Sequence, residues 1–324
     1  MPIFLRRKHT IFSLLLLALY FRTSSGYIIY AAKGFSSKRS TSKPAGSLGK
    51  AATKFLKQHK GDVDAASGAY FESKLQDMDE ELREKIGSSG GSSEVIDEGP
   101  VRDAFVELRW NTVAAFMSSS KVDKELVPRL GVTAKAVSGS RVLDVGSGDG
   151  SFVPFLEEYV PTLHYTGLDV ASEMVKKASA LHPKFSFSHG SFMTSPLADS
   201  SQHSYDTIVF NASLQFFFQP REALRRALET LGPGGRILIT HPRGGDFVRL
   251  ESRSNPRLAV PLPTLDMLDH WIESGDLPSA KLLSPQYLGS EERLGRGAKR
   301  RIERARPAQI LPCIAYLLRI QHCI

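Results

Sequence analysis

Between residues 140 and 240 the chain alternates short runs rich in Val, Ile and Leu with segments whose apolar positions recur at helical spacing. Residues 141–145, 164–169, 184–188, 205–210 and 236–240 read as strands, and residues 152–159, 171–181 and 221–231 as amphipathic helices. Such alternation predicts an α/β fold, a parallel sheet with helices on both faces and right-handed crossovers. Upstream, Val101, Phe105, Leu108, Val113, Phe116 and Met117 predict a helix over 101–117, and Asp123 is placed to cap a second one running to Leu130. Residues 62–86 form a charged, helix-compatible stretch, and Gly87-Ser-Ser-Gly-Gly-Ser-Ser93 has the composition of a flexible linker. Downstream, residues 280–283 are strand-like, and any last strand has to come from 310–318.

Charge divides the chain further. Residues 1–61 hold 12 Lys and Arg and no acid, and residues 289–324 hold 8 bases against 3 acids. The remaining 62–288 carries 22 bases and 31 acids, which argues against a nucleic-acid partner, since phosphate contacts need a basic face on the folded part. Within the head, Arg6-Arg-Lys8 precedes an apolar run, 11–21, about half the ~20 residues that cross a bilayer. Residues 1–26 therefore read as a signal peptide, and no stable membrane span is expected in the mature chain. Residues 27–61, rich in Ser, Ala, Lys and Arg, have transit-peptide composition. The tandem resembles the bipartite presequence of algae with secondary plastids, which implies delivery to a plastid through the ER. Secretion, or an uncleaved ER signal-anchor, is the alternative. The expected organisation is thus 1–26, 27–61, a charged segment and linker over 62–99, one folded domain over 100–288, and a basic tail over 289–324 that includes a possible last strand. Cys313 and Cys323, both in that tail, exclude a disulfide framework and a Cys-based zinc site from the domain. The 9 histidines show no ligand-pair spacing, so no metal is expected.

The chemistry concentrates after the first strand, in Val142-Leu-Asp-Val-Gly-Ser-Gly-Asp-Gly150. Glycines at 146, 148 and 150 let the backbone turn sharply and approach a ligand, and the following helix start offers unpaired N–H groups. A dinucleotide-binding loop needs its third glycine where Ser151 stands. Asp169, ending the second strand, is placed to accept ribose hydroxyls, with Val170 against the base. A carboxylate at Asp144 repels a pyrophosphate but suits an ammonium and a sulfonium.

Taken together these residues resemble the class I S-adenosylmethionine-dependent methyltransferases over roughly 140–240, in particular the type 11, ubiquinone/menaquinone methyltransferase-like domain. Leu231-Gly-Pro-Gly-Gly-Arg-Ile-Leu-Ile-Thr240 matches that family's turn and fifth strand, and Ser204-Tyr-Asp-Thr-Ile-Val-Phe-Asn211 its fourth. The resemblance implies a three-layer Rossmann-like sandwich with a mostly parallel seven-stranded sheet and N-terminal lid helices. It implies S-adenosylmethionine as cofactor and a small molecule, lipid or quinone-like, as methyl acceptor. The cofactor-binding residues would be Asp144, Gly146, Ser147, Gly148, Gly150, Asp169, Val170, Ser191, Phe192 and Asn211. Ser191 stands where the family often has an acid for the adenine amine, which shifts base contacts toward backbone atoms near Phe192.

His241, directly after the fifth strand, is the candidate general base for a phenol or enol acceptor, against a reading as a histidine bonded to backbone. Phe216-Phe-Phe218 lies where a substrate pocket is expected, and Trp110 and Phe116 are candidate lid residues; core packing is the alternative for each. Asn211 is open to the same choice between a ligand and its own chain. Three other functions stay in view: a nicotinamide oxidoreductase, a non-catalytic donor-binding protein, and an RNA or protein methyltransferase. Ser151 and Asp144 disfavour the first, and the acidic middle disfavours the last.

Overall fold

The computed structural model describes residues 50–88, 98–117, 122–196, 205–254, 258–283 and 314–320. The apolar run 11–21, the Arg293–Arg306 run and both cysteines lie outside the described residues. The chain divides into two units, residues 1–98 with 108–123, and residues 99–107 with 124–324.

The first unit starts earlier than the charge pattern suggested. Helix α1, Lys50–Gln58, lies in the segment with transit-peptide composition and pairs with α2, Val63–Ser88. Its exposed Lys54 and Lys57 face solvent, while Ala52 is buried and Phe55 meets Tyr70 edge-on at 5.5 Å. Lys60 and Gly61, at φ of 53° and 84°, reverse the chain, and Asp62 caps α2 by accepting from Ala65 N–H at 3.1 Å. Helix α3, Glu98–Phe116, ends in this unit, where Phe116 packs on Tyr70 at 5.7 Å.

The second unit holds the sheet. Helix α4 covers Val127–Lys135, not 123–130. Pro128 explains the shift: it fits a first turn, where no N–H is needed, but would break a helix begun at Asp123. Strands β1 (Arg141–Val145), β2 (His164–Asp169), β3 (Ser186–His189), β4 (Tyr205–Asn211) and β5 (Leu231–His241) pair in parallel, separated by α5 (Val153–Tyr159), α6 (Ser172–Leu181) and α7 (Pro220–Thr230). Two helices absent from the sequence reading follow: α8, Gly245–Ser254, and α9, Leu265–Glu273, the latter capped by Thr264 Oγ1 accepting from Met267 N–H at 3.2 Å. Strands β6 (Ala280–Leu283) and β7 (Ile314–Ile320) then extend the sheet antiparallel, in the order β3-β2-β1-β4-β5-β7-β6. Last in the chain, β7 lies between β5 and β6, where it pairs with the β5 edge that a parallel five-stranded core would leave open on that side.

Alternate residues supply the two faces. Leu143, Val145, Ile208, Phe210, Ile237 and Ile239 share one apolar cluster with Leu224, Ala227 and Leu228 of α7 and Leu268 of α9. Their neighbours Val142, Val209 and Leu238 are at most 1% exposed, so a second helical layer covers the other face. The order of strands reverses between β1 and β4: from β1 the chain runs outward to β3, then returns to the far side. Crevices at such a point, beyond the carboxyl ends of the strands, receive ligands.

Candidate functional site

The first crevice loop is held from below by backbone bonds and close packing. The N–H groups of Gly146 and Ser147 both reach Leu168 O, at 2.7 and 3.2 Å, drawing the loop across the end of β2. Gly146 turns at φ 75°, and a Cβ there would lie 2.5 Å from that of Ser213, which itself donates to Val145 O at 2.5 Å. Gly148, at φ 56°, is different: nothing stands within 4 Å of the position its Cβ would take. The loop is therefore tight beneath and open above, as close approach of a ligand to backbone requires.

Three acids surround it. Asp144 is buried; the Tyr165 hydroxyl donates to its Oδ2 at 2.8 Å, while Oδ1 is buried without a partner. Burial above all, and repulsion from Asp169, push its carboxyl up to about 7, against the Tyr165 bond. Asp149, which the sequence reading passed over, accepts from Ser151 N–H at 3.2 Å through Oδ1 and keeps Oδ2 buried and unbonded. Asp169 accepts from Gly148 N–H and Ala171 N–H, both at 2.8 Å, so it ties the loop to the start of α6. Burial raises its carboxyl and those two N–H bonds resist the rise. Orphaned carboxylate oxygens around an open glycine turn are cation acceptors, since a buried polar atom left unpaired costs about 1–3 kcal/mol. They fit the ammonium and sulfonium of S-adenosylmethionine and repel a pyrophosphate, so the nicotinamide alternative loses its support.

Toward β3, His189 Nε2 lies 3.0 Å from Val170 O and 3.4 Å from Glu107 of α3. Ser191 Oγ donates to Asp103 Oδ2 at 2.9 Å and accepts from Met193 N–H at 3.3 Å. Phe192 is buried, edge-on to Phe210 at 5.7 Å and Phe217 at 6.2 Å, so only its backbone faces the crevice. Phe217 thus belongs to the core, and Phe218 is exposed. Asn211 Oδ1 accepts from Thr240 Oγ1 at 3.0 Å, a tie to its own sheet of the kind that stood as the alternative to a ligand role. Gln215, also unforeseen, is buried in the loop after β4, with Nε2 donating to Ala212 O at 3.1 Å and Oε1 unbonded. Trp110 and Phe116 fall in the other unit.

His241 is the clearest departure. It is 3% exposed, its Nδ1 accepts from Arg243 N–H at 3.2 Å, and its ring stacks on Phe247 at 5.4 Å. Burial, and then Arg243, pull it down to about 3. With Nδ1 accepting, the proton sits on Nε2, so the ring is a neutral donor and not a base. In an NMR titration its ring protons are expected to stay flat from pH 5 to 8; an inflection in that window would restore it as a base.

Residues 143–237 match the methyltransferase domain family. The chain contains a class I S-adenosylmethionine-dependent methyltransferase domain. Over 162 residues the chain is 30% identical to a demethylmenaquinone methyltransferase of Renibacterium salmoninarum, covering 42% of this chain and 66% of that one. Over 125 residues it is 29% identical to a malonyl-[acyl-carrier protein] O-methyltransferase of Erwinia billingiae, covering 39% and 47%. The chain thus spans about half to two thirds of the length of these relatives. The plantazolicin methyltransferase BpumL, solved with a triazolic desmethylPZN analog and SAH, shares the fold at a TM-score of 0.51 and 16% identity, over 70% of this chain and 98% of that one. The methyltransferase domain takes S-adenosylmethionine as its cofactor, and the residues that would hold it are Asp144, Asp149, Asp169 and the backbone of 146–150. No helix among the described residues is long and apolar enough to cross a membrane.

Proposed function

We propose that the protein moves the methyl group of S-adenosylmethionine to a small-molecule acceptor of lipid or quinone-like chemistry. One observation carries the reading: two unbonded buried carboxylate oxygens, on Asp144 and Asp149, lie around a glycine turn that is open above Gly148. The cofactor supplies an electrophilic methyl on a cationic sulfur. The chain's own residues bind and orient it through Asp144 and Asp169, and Phe192, Phe210 and the partly buried Phe217 pack together as an apolar cluster at the turn after β3. Holding acceptor and methyl at attack distance supplies about 7–11 kcal/mol by effective molarity, without a dedicated base. This suits His241 as a structural residue and calls for an acceptor that is nucleophilic when bound. The small acceptors named in the two relatives support the class.

Incubating the full chain with methyl-labelled S-adenosylmethionine and a metabolite extract tests this, with label expected in an apolar extractable product. Donor binding without label transfer to any acceptor would leave a binding protein only. We also propose that residues upstream of α1 address the chain to a plastid through the ER. Because α1 packs on α2, the mature chain is expected to begin before Lys50, which terminal sequencing of the organelle protein checks. A fluorescent fusion of residues 1–61 held in the secretory pathway would overturn the address.

A further inference from the structure

The carboxyl end of β5 holds a positive charge and a buried N–H that the cofactor loop does not use. His241 Nδ1 accepts from Arg243 N–H, so the ring proton is on Nε2, and that N–H meets no acceptor among the described residues. The residue is buried, and a buried N–H without a partner is a cost that a ligand can relieve. One residue on, Pro242 O accepts from Arg129 Nη1 at 2.5 Å, which brings the half-buried guanidinium of α4 to the same strand end. Its remaining N–H groups meet no carboxylate among the described residues. Arg243 lies over the Phe247 ring at 5.4 Å, and the acid nearest in sequence, Asp246, is paired with Arg249. Strand register sets this end beside the cofactor loop. Asp144 pairs with Val209 and Asn211 with Thr240, so the turn at Gly146, Asn211 and Thr240 stand in one row across three neighbouring strands. At about 4.8 Å per strand, β5 lies roughly 10 Å from the β1 loop, the span of a small acceptor.

We propose that the methyl acceptor is a carboxylic acid, held in its ionised form by Arg129 and His241 Nε2–H and converted to its methyl ester. The inference rests on the methyl transfer proposed above and names its substrate class. A guanidinium matches a carboxylate in charge and in the geometry of its N–H groups, and a neutral imidazole N–H adds a second bond without adding charge. His241 also acquires a ligand beyond its structural ties. The absence of a base at this end is then no obstacle, because a carboxylate is already ionised well below neutral pH. Each of its oxygens keeps a lone pair after accepting one hydrogen bond. One such pair forms the new oxygen–methyl bond as the methyl–sulfur bond breaks; the electrons of that bond stay on sulfur, and no proton moves. A phenol or enol would have to give up a proton that His241 cannot take, and a protonated amine would be repelled by Arg129.

The test takes the product formed by the full chain from methyl-labelled S-adenosylmethionine and a metabolite extract, and treats it with mild alkali. Alkali releases the methyl of an ester as volatile methanol and leaves ether, C-methyl and N-methyl products intact. Most of the transferred label is expected to become volatile. Label that stays in the product overturns the proposal and leaves methyl transfer standing, whereas no transfer at all overturns the methyl-transfer reading and this one with it. Arg129→Gln is expected to cut the volatile label about 10- to 100-fold, the effect of losing one charge-assisted hydrogen bond, while the affinity for S-adenosylhomocysteine measured by calorimetry stays within about 2-fold. His241→Phe, which keeps a ring against Phe247 and deletes the N–H, is expected to act in the same direction. Arg249→Gln, which removes an exposed charge of α8, is expected to change neither quantity. Undiminished labelling in Arg129→Gln overturns the proposal, as does a matching loss of cofactor affinity or an equal fall in Arg249→Gln. If His241→Phe does not fold, the half-buried Arg129 carries the test alone.

Discussion

Asp144→Asn is expected to make ligand-free protein relatively more stable as pH rises, by up to about 4 kcal/mol between pH 4 and pH 8. The folded carboxyl sits at about 7 against an ordinary 3.8, so the folded state binds the extra proton across that interval. Its contribution is therefore complete below pH 3.8 and disappears as pH climbs through 7, at about 1.4 kcal/mol per pH unit. Asn keeps the acceptor for Tyr165 and does not titrate. His241 works in the opposite sense: lowered to about 3, it weakens the fold as pH falls below its ordinary 6.5. That term is common to both proteins and cancels in the comparison. Urea denaturation at pH 4 and 8 measures the difference, and parallel pH curves for the two proteins would refute the burial of this charge. Donor affinity at pH 7.5 is expected to fall 10- to 100-fold in the variant, because the cationic end of S-adenosylmethionine loses its counter-charge. A residue whose removal steadies the fold and weakens the ligand belongs to a binding site rather than to the architecture.

Asp169→Ala is expected to fail on both counts. The carboxylate holds Gly148 N–H and Ala171 N–H at 2.8 Å each, and the truncation orphans both donors together, that of Ala171 buried and that of Gly148 half-buried. A stability loss of about 1–3 kcal/mol follows, along with a 10- to 150-fold weaker donor as the ribose hydroxyls lose their acceptor. Thermal melting and calorimetry with S-adenosylhomocysteine report the two effects separately. Unchanged affinity with lowered stability would reduce Asp169 to a loop anchor.

These expectations draw on residues of unequal legibility. Gly146, Gly148, Gly150, Asp144 and Asp169 were readable from one stretch of sequence, because a tight turn at positive φ and a carboxylate at a strand end are local demands that few residue types meet. Asp149, inside the same turn, carried the same local signal. Helices α8 and α9 were missed, although Thr264 and Asp266 mark the start of α9 as a cap and an acidic first turn. Asp103, Tyr165, Ser213 and Gln215 carried no local signal, since each matters only through a partner or a void supplied by a distant segment. Asn211 and His241 stood at the ligand ends of β4 and β5, and in the fold Thr240 donates to Asn211 Oδ1 and Arg243 N–H to His241 Nδ1.

By itself, then, the order of residues determined the alternation of strand and helix, the binding loop and the sign of charge it presents. Apolar periodicity and turn chemistry act over a few residues, and the chain encodes them directly. Only the folded arrangement decided that β7 enters between β5 and β6, that an aspartate of α3 reaches the turn after β3, and that His241 is a donor and not a base. Strand pairing and burial depend on what stands across space, and dozens of residues of intervening chain hide that from any reading along the sequence.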